Sequence, residues 1–129
     1  MRTLKVNVQR NKRLDFGGVM KEYLSVVQGD RLELDVIINS EEEAVSVSEV
    51  FFSCQQQGII EKMTKIDDKT YHLILDSDKT EKYVPGITSF DITLKFIDGG
   101  TLTSLYQKKF QVLRKVNKIG WYYSKGKKV

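Results

Sequence analysis

One cysteine, one histidine, one proline and one tryptophan are all that this chain of 129 residues holds of those four types. Cys54, being alone, closes no internal disulfide and builds no cysteine metal cage. A lone thiol also suits folding in a reducing cytoplasm. His72 and Cys54 together fall short of the three or four soft or imidazole ligands that zinc needs. No apolar run approaches the roughly 18 residues that span a bilayer, so no membrane partner is expected. The opening stretch MRTLKVNVQRNKR has scattered charges and no apolar centre, so it is not read as a secretory signal. Acids are missing from both ends. Residues 1–13 carry Arg2, Lys5, Arg10, Lys12 and Arg13, and residues 114–129 carry Arg114, Lys115, Lys118, Lys125, Lys127 and Lys128. All 17 acids lie between, so the overall charge of +4 describes two basic ends around an acidic body. It does not imply a nucleic-acid-binding face on that body.

A hydrophobic content of 40% beside 29% charge is that of a folded globular chain, not a disordered one. The length suits one domain burying roughly two thirds of its unfolded surface. The most ordered signal runs from Asp76 to Phe110. In its middle, Phe90, Ile92, Leu94 and Phe96 alternate with Ser89, Asp91, Thr93 and Lys95. Strand side chains point to opposite faces in turn, so this is a strand with one dry and one wet side. Asp98-Gly99-Gly100 supplies the positive φ that a tight hairpin needs.

Taken in order, Leu4 to Val8 alternates as a first strand, and Val19 to Val27 reads as a second one at a sheet edge. Gln28-Gly29-Asp30 is a turn. Arg31 to Asn39 sends Leu32, Leu34, Val36 and Ile38 inward. Glu41-Glu42-Glu43 is a solvated loop. Val47 to Gln55 puts Val50, Phe52 and Cys54 on one face and leaves Phe51 on the other, where a large apolar ring needs a second partner. Ile59 to Ile66 and Thr70 to Leu75 form a hairpin across Asp67-Asp68-Lys69, with Tyr71, Leu73 and Leu75 inward. Asp78 with Glu81 three residues on has the form of a capping box, which predicts one helical turn over Lys79 to Tyr83. Pro85 ends it, because the residue before proline is pushed toward extended geometry. In the last strand Leu105 and Phe110 are out of phase, and a bulge near Gln107-Lys108 returns Phe110 and Val112 to the core face.

About seven to nine short strands, frequent turns and no helix beyond a turn or two predict an all-β fold. The expected architecture is an antiparallel immunoglobulin-like two-sheet sandwich over residues 1–113, with a short helical turn near 78–83. A small barrel is the alternative. The Cys-Trp-Cys marks of antibody domains are missing, so the likeness is one of architecture. Residues 114–129 form a basic aromatic C-terminal tail.

No chemistry-bearing constellation stands out. His72 alternates away from Tyr71 and Leu73 and is read as a surface strand residue. Asp76-Ser77-Asp78 has no glycine at the sixth loop position, which is Glu81, so calcium is not expected. No helix follows Gly99-Gly100 to aim its N-terminus at a phosphate. No pair of carboxylates has a spacing that fixes it across a cleft. The chain is therefore expected to be no enzyme and to use no cofactor or metal. The tail combines Lys118 and Lys125 with Trp121, Tyr122 and Tyr123, the candidate interaction residues. Aromatics give large contact area at protein interfaces. Stacking on bases would be the nucleic-acid use of the same residues, and it is the disfavoured one.

The order of turn and corner residues is familiar. Gln28-Gly29-Asp30 leads into an alternating strand, followed by Asp67-Asp68-Lys69-Thr70-Tyr71-His72-Leu73, Lys79-Thr80, Pro85-Gly86, Phe90-Asp91-Ile92, Asp98-Gly99-Gly100 and Phe110-Gln111-Val112. Over roughly residues 19–113 this resembles the immunoglobulin-like β-sandwich proteins of tail and baseplate regions of phages and prophages of Gram-positive bacteria, above all the N-terminal domain of upper baseplate proteins. The resemblance implies a non-enzymatic virion component, folded in the bacterial cytoplasm. Its implied partners are other tail or baseplate proteins, with copies of itself in the assembly. In that family a longer C-terminal region often carries receptor-binding modules. With sixteen residues after the sandwich, an adaptor or small accessory role is expected here. The rival expectation is a free-standing module for carbohydrate or peptide, for which Tyr23, Phe51 and Tyr83 are the aromatics available in the body.

Overall fold

The computed structural model describes residues 2–8, 23–40 and 47–116. Its strands are β1 (Arg2–Val8), β2 (Leu24–Val27), β3 (Leu32–Ser40), β4 (Val47–Cys54), β5 (Ile59–Lys62), β6 (Thr64–Lys65), β7 (Thr70–Leu75), β8 (Gly86–Phe96) and β9 (Thr101–Leu113), with one helical turn, α1 (Ser77–Thr80). They form a four-stranded sheet in the order β1-β3-β7-β6 and a five-stranded sheet in the order β2-β9-β8-β4-β5. The fold is the all-β two-sheet sandwich that the alternation predicts. The orders β1-β3-β7-β6 and β9-β8-β4 match the ABED and GFC sheets of the immunoglobulin arrangement. Outside those, β5 extends one edge of the second sheet and β2 the other.

The pairing is not antiparallel throughout. β1 joins β3 in parallel, and β2 joins β9 in parallel. Between β1 and β3 the chain visits the other sheet, and between β2 and β9 it traverses the rest of the sandwich. Neither pair is a hairpin, so parallel pairing, which needs a long crossover, is open to both. The predicted second strand from Val19 is seen as β2 from Leu24. Residues 19–22 and the acidic loop at 41–43 lie outside the described residues.

Alternation places the core as expected on β3, β4, β7 and β8, where Leu34, Val36, Phe52, Leu73, Leu75, Phe90, Ile92 and Leu94 are buried. Phe52 and Phe90 lie on adjoining strands of one sheet, with ring centroids 5.2 Å apart.

β9 carries the predicted bulge, but with two extra residues. Thr88 pairs with Phe110 and Phe90 with Tyr106, so Gln107, Lys108 and Lys109 lie opposite Ser89 alone. Two insertions preserve the parity of the strand. Ser104, Tyr106, Phe110 and Val112 therefore all point in, and Leu105, expected inside, is 36% exposed. Lys108 adopts φ 53° and its N–H donates to Ser89 Oγ at 3.1 Å. A left-handed residue with a Cβ costs about 1–2 kcal/mol. The compensation is aromatic, because the bulge keeps rings on both sides of Phe90. Tyr106 stacks on it at 4.7 Å and 11°, and Phe110 meets it edge-on at 6.2 Å.

Two further expectations are corrected. Ile59 to Ile66 is not one strand. β5 pairs with β4 in one sheet and β6 with β7 in the other, and the chain changes sheets at Met63. Met63 is buried between them and its N–H donates to Val50 O at 2.8 Å, which fixes the crossing point. The helical turn starts at Ser77, not Lys79, with Asp76 in the capping position and no capping box at Asp78. The reason is tertiary. Thr80 is fully buried, and its Oγ1 donates to Asp30 O at 2.6 Å and accepts the Gly29 N–H at 3.1 Å. The turn is registered on that hydroxyl, while Asp78 only accepts the Lys79 N–H. The hairpin at 97–100 is as predicted. Gly99 sits at φ 96°, Gly99 N–H donates to Phe96 O, and Asp98 accepts the Gly100 N–H.

Candidate interaction surface

The candidate residues Lys118, Trp121, Tyr122, Tyr123 and Lys125 lie outside the described residues. The approach to them is described. At the end of β9, Gln28 N–H donates to Leu113 O at 2.9 Å. The Gln28 carboxamide then works both ways, accepting the Lys115 N–H at 3.3 Å and donating to Tyr83 O at 2.9 Å. The chain is thus held against the turn between β2 and β3 as far as Lys115. Val116, next along, is 94% exposed.

The outer face of the five-stranded sheet is built by register. Phe51 on β4 stands between Lys62 on β5 and Thr93 on β8, and Lys95 lies over its ring with Nζ 5.2 Å from the centroid. The ammonium is the second partner that the outward ring needs. Lys62 reaches Glu49 at 2.9 Å. Its hydrogen bond, and then its charge, holds the Glu49 carboxyl below the usual range. One row over, Asp91 stands between Ser53 and Leu105. Burial pushes its carboxyl above the ordinary value, and the hydrogen bond from Thr93 Oγ1 at 3.3 Å offsets only part of that. Four apolar side chains, Ile60, Ile87, Leu105 and Leu113, stand exposed on this sheet, Ile60 at 76%.

The body's three aromatics form no shared platform. Tyr83 is buried in the core, edge-on to Phe110 at 6.4 Å, and burial raises its phenol to about 12. Tyr23 is exposed with Lys109 over it at 5.5 Å. It lies beside β2, with β9 and β8 between it and Phe51 on β4.

On the other sheet, His72 faces outward as expected, but it is not a free surface residue. Its Nδ1 meets Asp35 Oδ1 at 2.5 Å and its Nε2 lies 3.4 Å from Glu33 Oε1, leaving the side chain 19% exposed. The carboxylates address opposite ring nitrogens, so the three do not converge on one point. Among the described residues, no group of three His, Cys, Asp or Glu is placed to hold a metal ion. Cys54 is buried in the other sheet, with Sγ 3.3 Å from Thr88 Oγ1. His72 and Cys54 are not brought together. Among the described residues, no helix is long and apolar enough to cross a membrane.

A cleft that no sequence motif marks lies at the end of β2. It has a volume of about 180 Å³ and is lined by Val26, Val27, Asp30, Arg31, Leu32 and Leu113 among others. Its walls are more than 80 residues apart in the chain, so no local pattern marks it. No protein-family model matches this sequence, and no curated protein matches it.

Proposed function

We propose that this chain is a non-enzymatic structural protein of a phage or prophage tail, a baseplate component or adaptor that works through protein–protein contacts. The observation that carries the contact part is the outer face of the five-stranded sheet. There Ile60, Ile87, Leu105 and Leu113 stand exposed among threonines, serines and paired charges. Apolar side chains set in a polar surround are what a protein interface offers. The phage part rests on the turn residues of the resemblance. Gln28-Gly29-Asp30, Asp67-Asp68-Lys69, Pro85-Gly86 and Asp98-Gly99-Gly100 stand at reversals or corners between strands, where such residues serve as fold markers. On this reading the chain sits in the virion, associates with copies of itself and with other tail proteins, and uses residues 114–129 as an extension from the sandwich.

The test is peptide mass spectrometry of phage particles purified after prophage induction, beside the cell lysate. The chain is expected to co-purify with tail proteins at a fixed ratio, and tail-fibre, lysin and holin genes should lie beside its own. A chain confined to the lysate, with a defined oligosaccharide bound on a glycan array, would overturn the reading in favour of a free-standing binding module.

A further inference from the structure

Two side chains on the outer face of the five-stranded sheet carry charges that no opposite charge answers among the described residues, and both stand on β8. Asp91 and Lys95 point outward, with Thr93 midway between them, while Ile92 and Leu94 go to the core. Asp91 is half-buried and accepts a hydrogen bond from Thr93 Oγ1. Burial raises its carboxyl, and that hydroxyl alone pulls the other way, with no lysine or arginine contributing. Lys95 lies over the Phe51 ring, 5.2 Å from its centroid. Its cross-strand neighbour Glu49 is taken by Lys62 at 2.9 Å, and Lys95 adds least to the lowering of that carboxyl.

Register arranges this face in rows. Phe51, Thr93 and Thr103 form the middle one. On one side lie Ser53, Asp91 and Leu105, and on the other Glu49, Lys95 and Thr101. Turning a second copy over about a two-fold axis along the middle row leaves that row facing itself and exchanges the outer two. Each Asp91 then faces a Lys95, and each Ser53 hydroxyl a Glu49 carboxylate. Such an interface is self-complementary, with residue i meeting j and j meeting i. The Thr93 and Thr103 hydroxyls share a hydrogen bond in which either can donate. They can therefore face their own copies, because a hydroxyl both donates and accepts. Lys62 ends the middle row at the rim, where its charge is already answered by Glu49. An axis along β8 would instead set Asp91 on Asp91 and Lys95 on Lys95, so the charges select the first orientation.

We infer that two copies of this chain pair face to face through the outer surface of the five-stranded sheet, about a two-fold axis along the Phe51–Thr93–Thr103 row, with Asp91 of each copy against Lys95 of the other. The two β8 strands then run antiparallel, about 30° apart as in aligned sheets. The sheets stand about 10 Å apart, a gap that a lysine and an aspartate bridge. Five strands along the length of β4 offer on the order of 600 Å² per copy. That reaches the low end of specific interfaces, about 1,200 Å² in total, so the dimer is reversible. A foreign partner would have to bring both charges at this spacing, whereas a second copy already has them. The inference rests on the assembly reading and deepens it by naming the contact between copies.

Sedimentation of the full chain from micromolar to millimolar concentration is the experiment. A monomer–dimer equilibrium that weakens with salt is expected. Lys95→Asp, at an exposed position, and Asp91→Lys should each weaken it at least about tenfold, because like charges then meet. The two changes together in one chain should restore it, and so should an equimolar mixture of the two single variants. Thr103 is exposed and on the axis, and it gives a second pair that does not tax folding. Thr103→Glu and Thr103→Lys should each weaken the dimer alone and pair when mixed. Circular dichroism checks that every variant is folded. A monomer at every concentration overturns the inference, as does a dimer indifferent to Lys95→Asp and to both Thr103 variants. Either result leaves the phage reading standing if the chain is found in purified particles. Absence from particles, beside a dimer that obeys these charge rules, strikes the phage reading and supports the pairing.

Discussion

Gln57 and Val84 are joined twice. Gln57 Nε2 donates to Val84 O at 2.7 Å, and Gln57 Oε1 accepts the Val84 N–H at 2.8 Å. The carboxamide pairs with Val84 as a neighbouring strand would. Val84 precedes Pro85 and is steered toward extended geometry, yet among the described residues no strand pairs with it. Gln57, in the 3-10 turn after β4, closes that corner. Val84 is exposed and Gln57 half-buried, so each hydrogen bond is worth about 0.5–1.5 kcal/mol. Gln57→Ala should lower stability by about 1–2 kcal/mol in urea and speed hydrogen exchange at the Val84 amide. Unchanged exchange at that amide would show that water serves it equally well.

Phe90 lies between Phe52, Tyr106 and Phe110, with ring contacts to all three. Phe90→Ala should cost about 3–5 kcal/mol, a large part of a small domain's stability. Thr93 points the other way, its Oγ1 shared between Asp91 and Thr103, and Thr93→Ala should cost under about 1 kcal/mol. Denaturant midpoints of the two variants give the comparison. Similar midpoints would mean that the centre of the core is not at Phe90.

Lys108 holds a left-handed conformation without being glycine. Lys108→Gly removes that penalty and keeps the N–H that bonds to Ser89 Oγ. The gain should be under about 1 kcal/mol, since glycine also gains freedom in the unfolded chain. Lys108→Val should be destabilising, because a β-branched side chain fits positive φ poorly. Thermal melting ranks the three forms, and valine melting at or above glycine would contradict the geometry of the bulge.

Burial raises the Asp91 carboxyl above its ordinary 3.8. Between that value and the raised one, the folded chain binds more protons than the unfolded chain. Stability must therefore fall as pH rises through that window and level off above it. Asp91→Asn should be the more stable form near neutral pH and lose its advantage below about 3.8, measured as the difference in urea midpoint across acidic pH. An advantage that grows on acidification would reverse the sign and place the carboxylate in a favourable contact.

Local pattern was enough for the faces of β3, β7 and β8. A strand's period of two is a property of neighbouring residues, and Leu34, Val36, Leu73 and Ile92 could each be placed inside from their own segments. The same holds for the turns at Gln28–Asp30 and Asp98–Gly100, whose residues specify their own backbone. Tertiary structure decided wherever two distant segments had to agree on register. Met63 reached the core only by taking the chain from one sheet to the other, which split a run that looked like one strand. The bulge added two residues, so Tyr106 went inside and Leu105 outside. The buried Thr80 hydroxyl, answering Asp30 and Gly29 from 50 residues away, moved the helical turn. His72 acquired its carboxylates, and Phe51 its lysine, from strands next to them in space and not in sequence. The cleft exists only because β9 ends beside the turn after β2. Alternation is written residue by residue, whereas register, crossing points and concavities are set by pairs of segments and so are settled only when the sheets assemble.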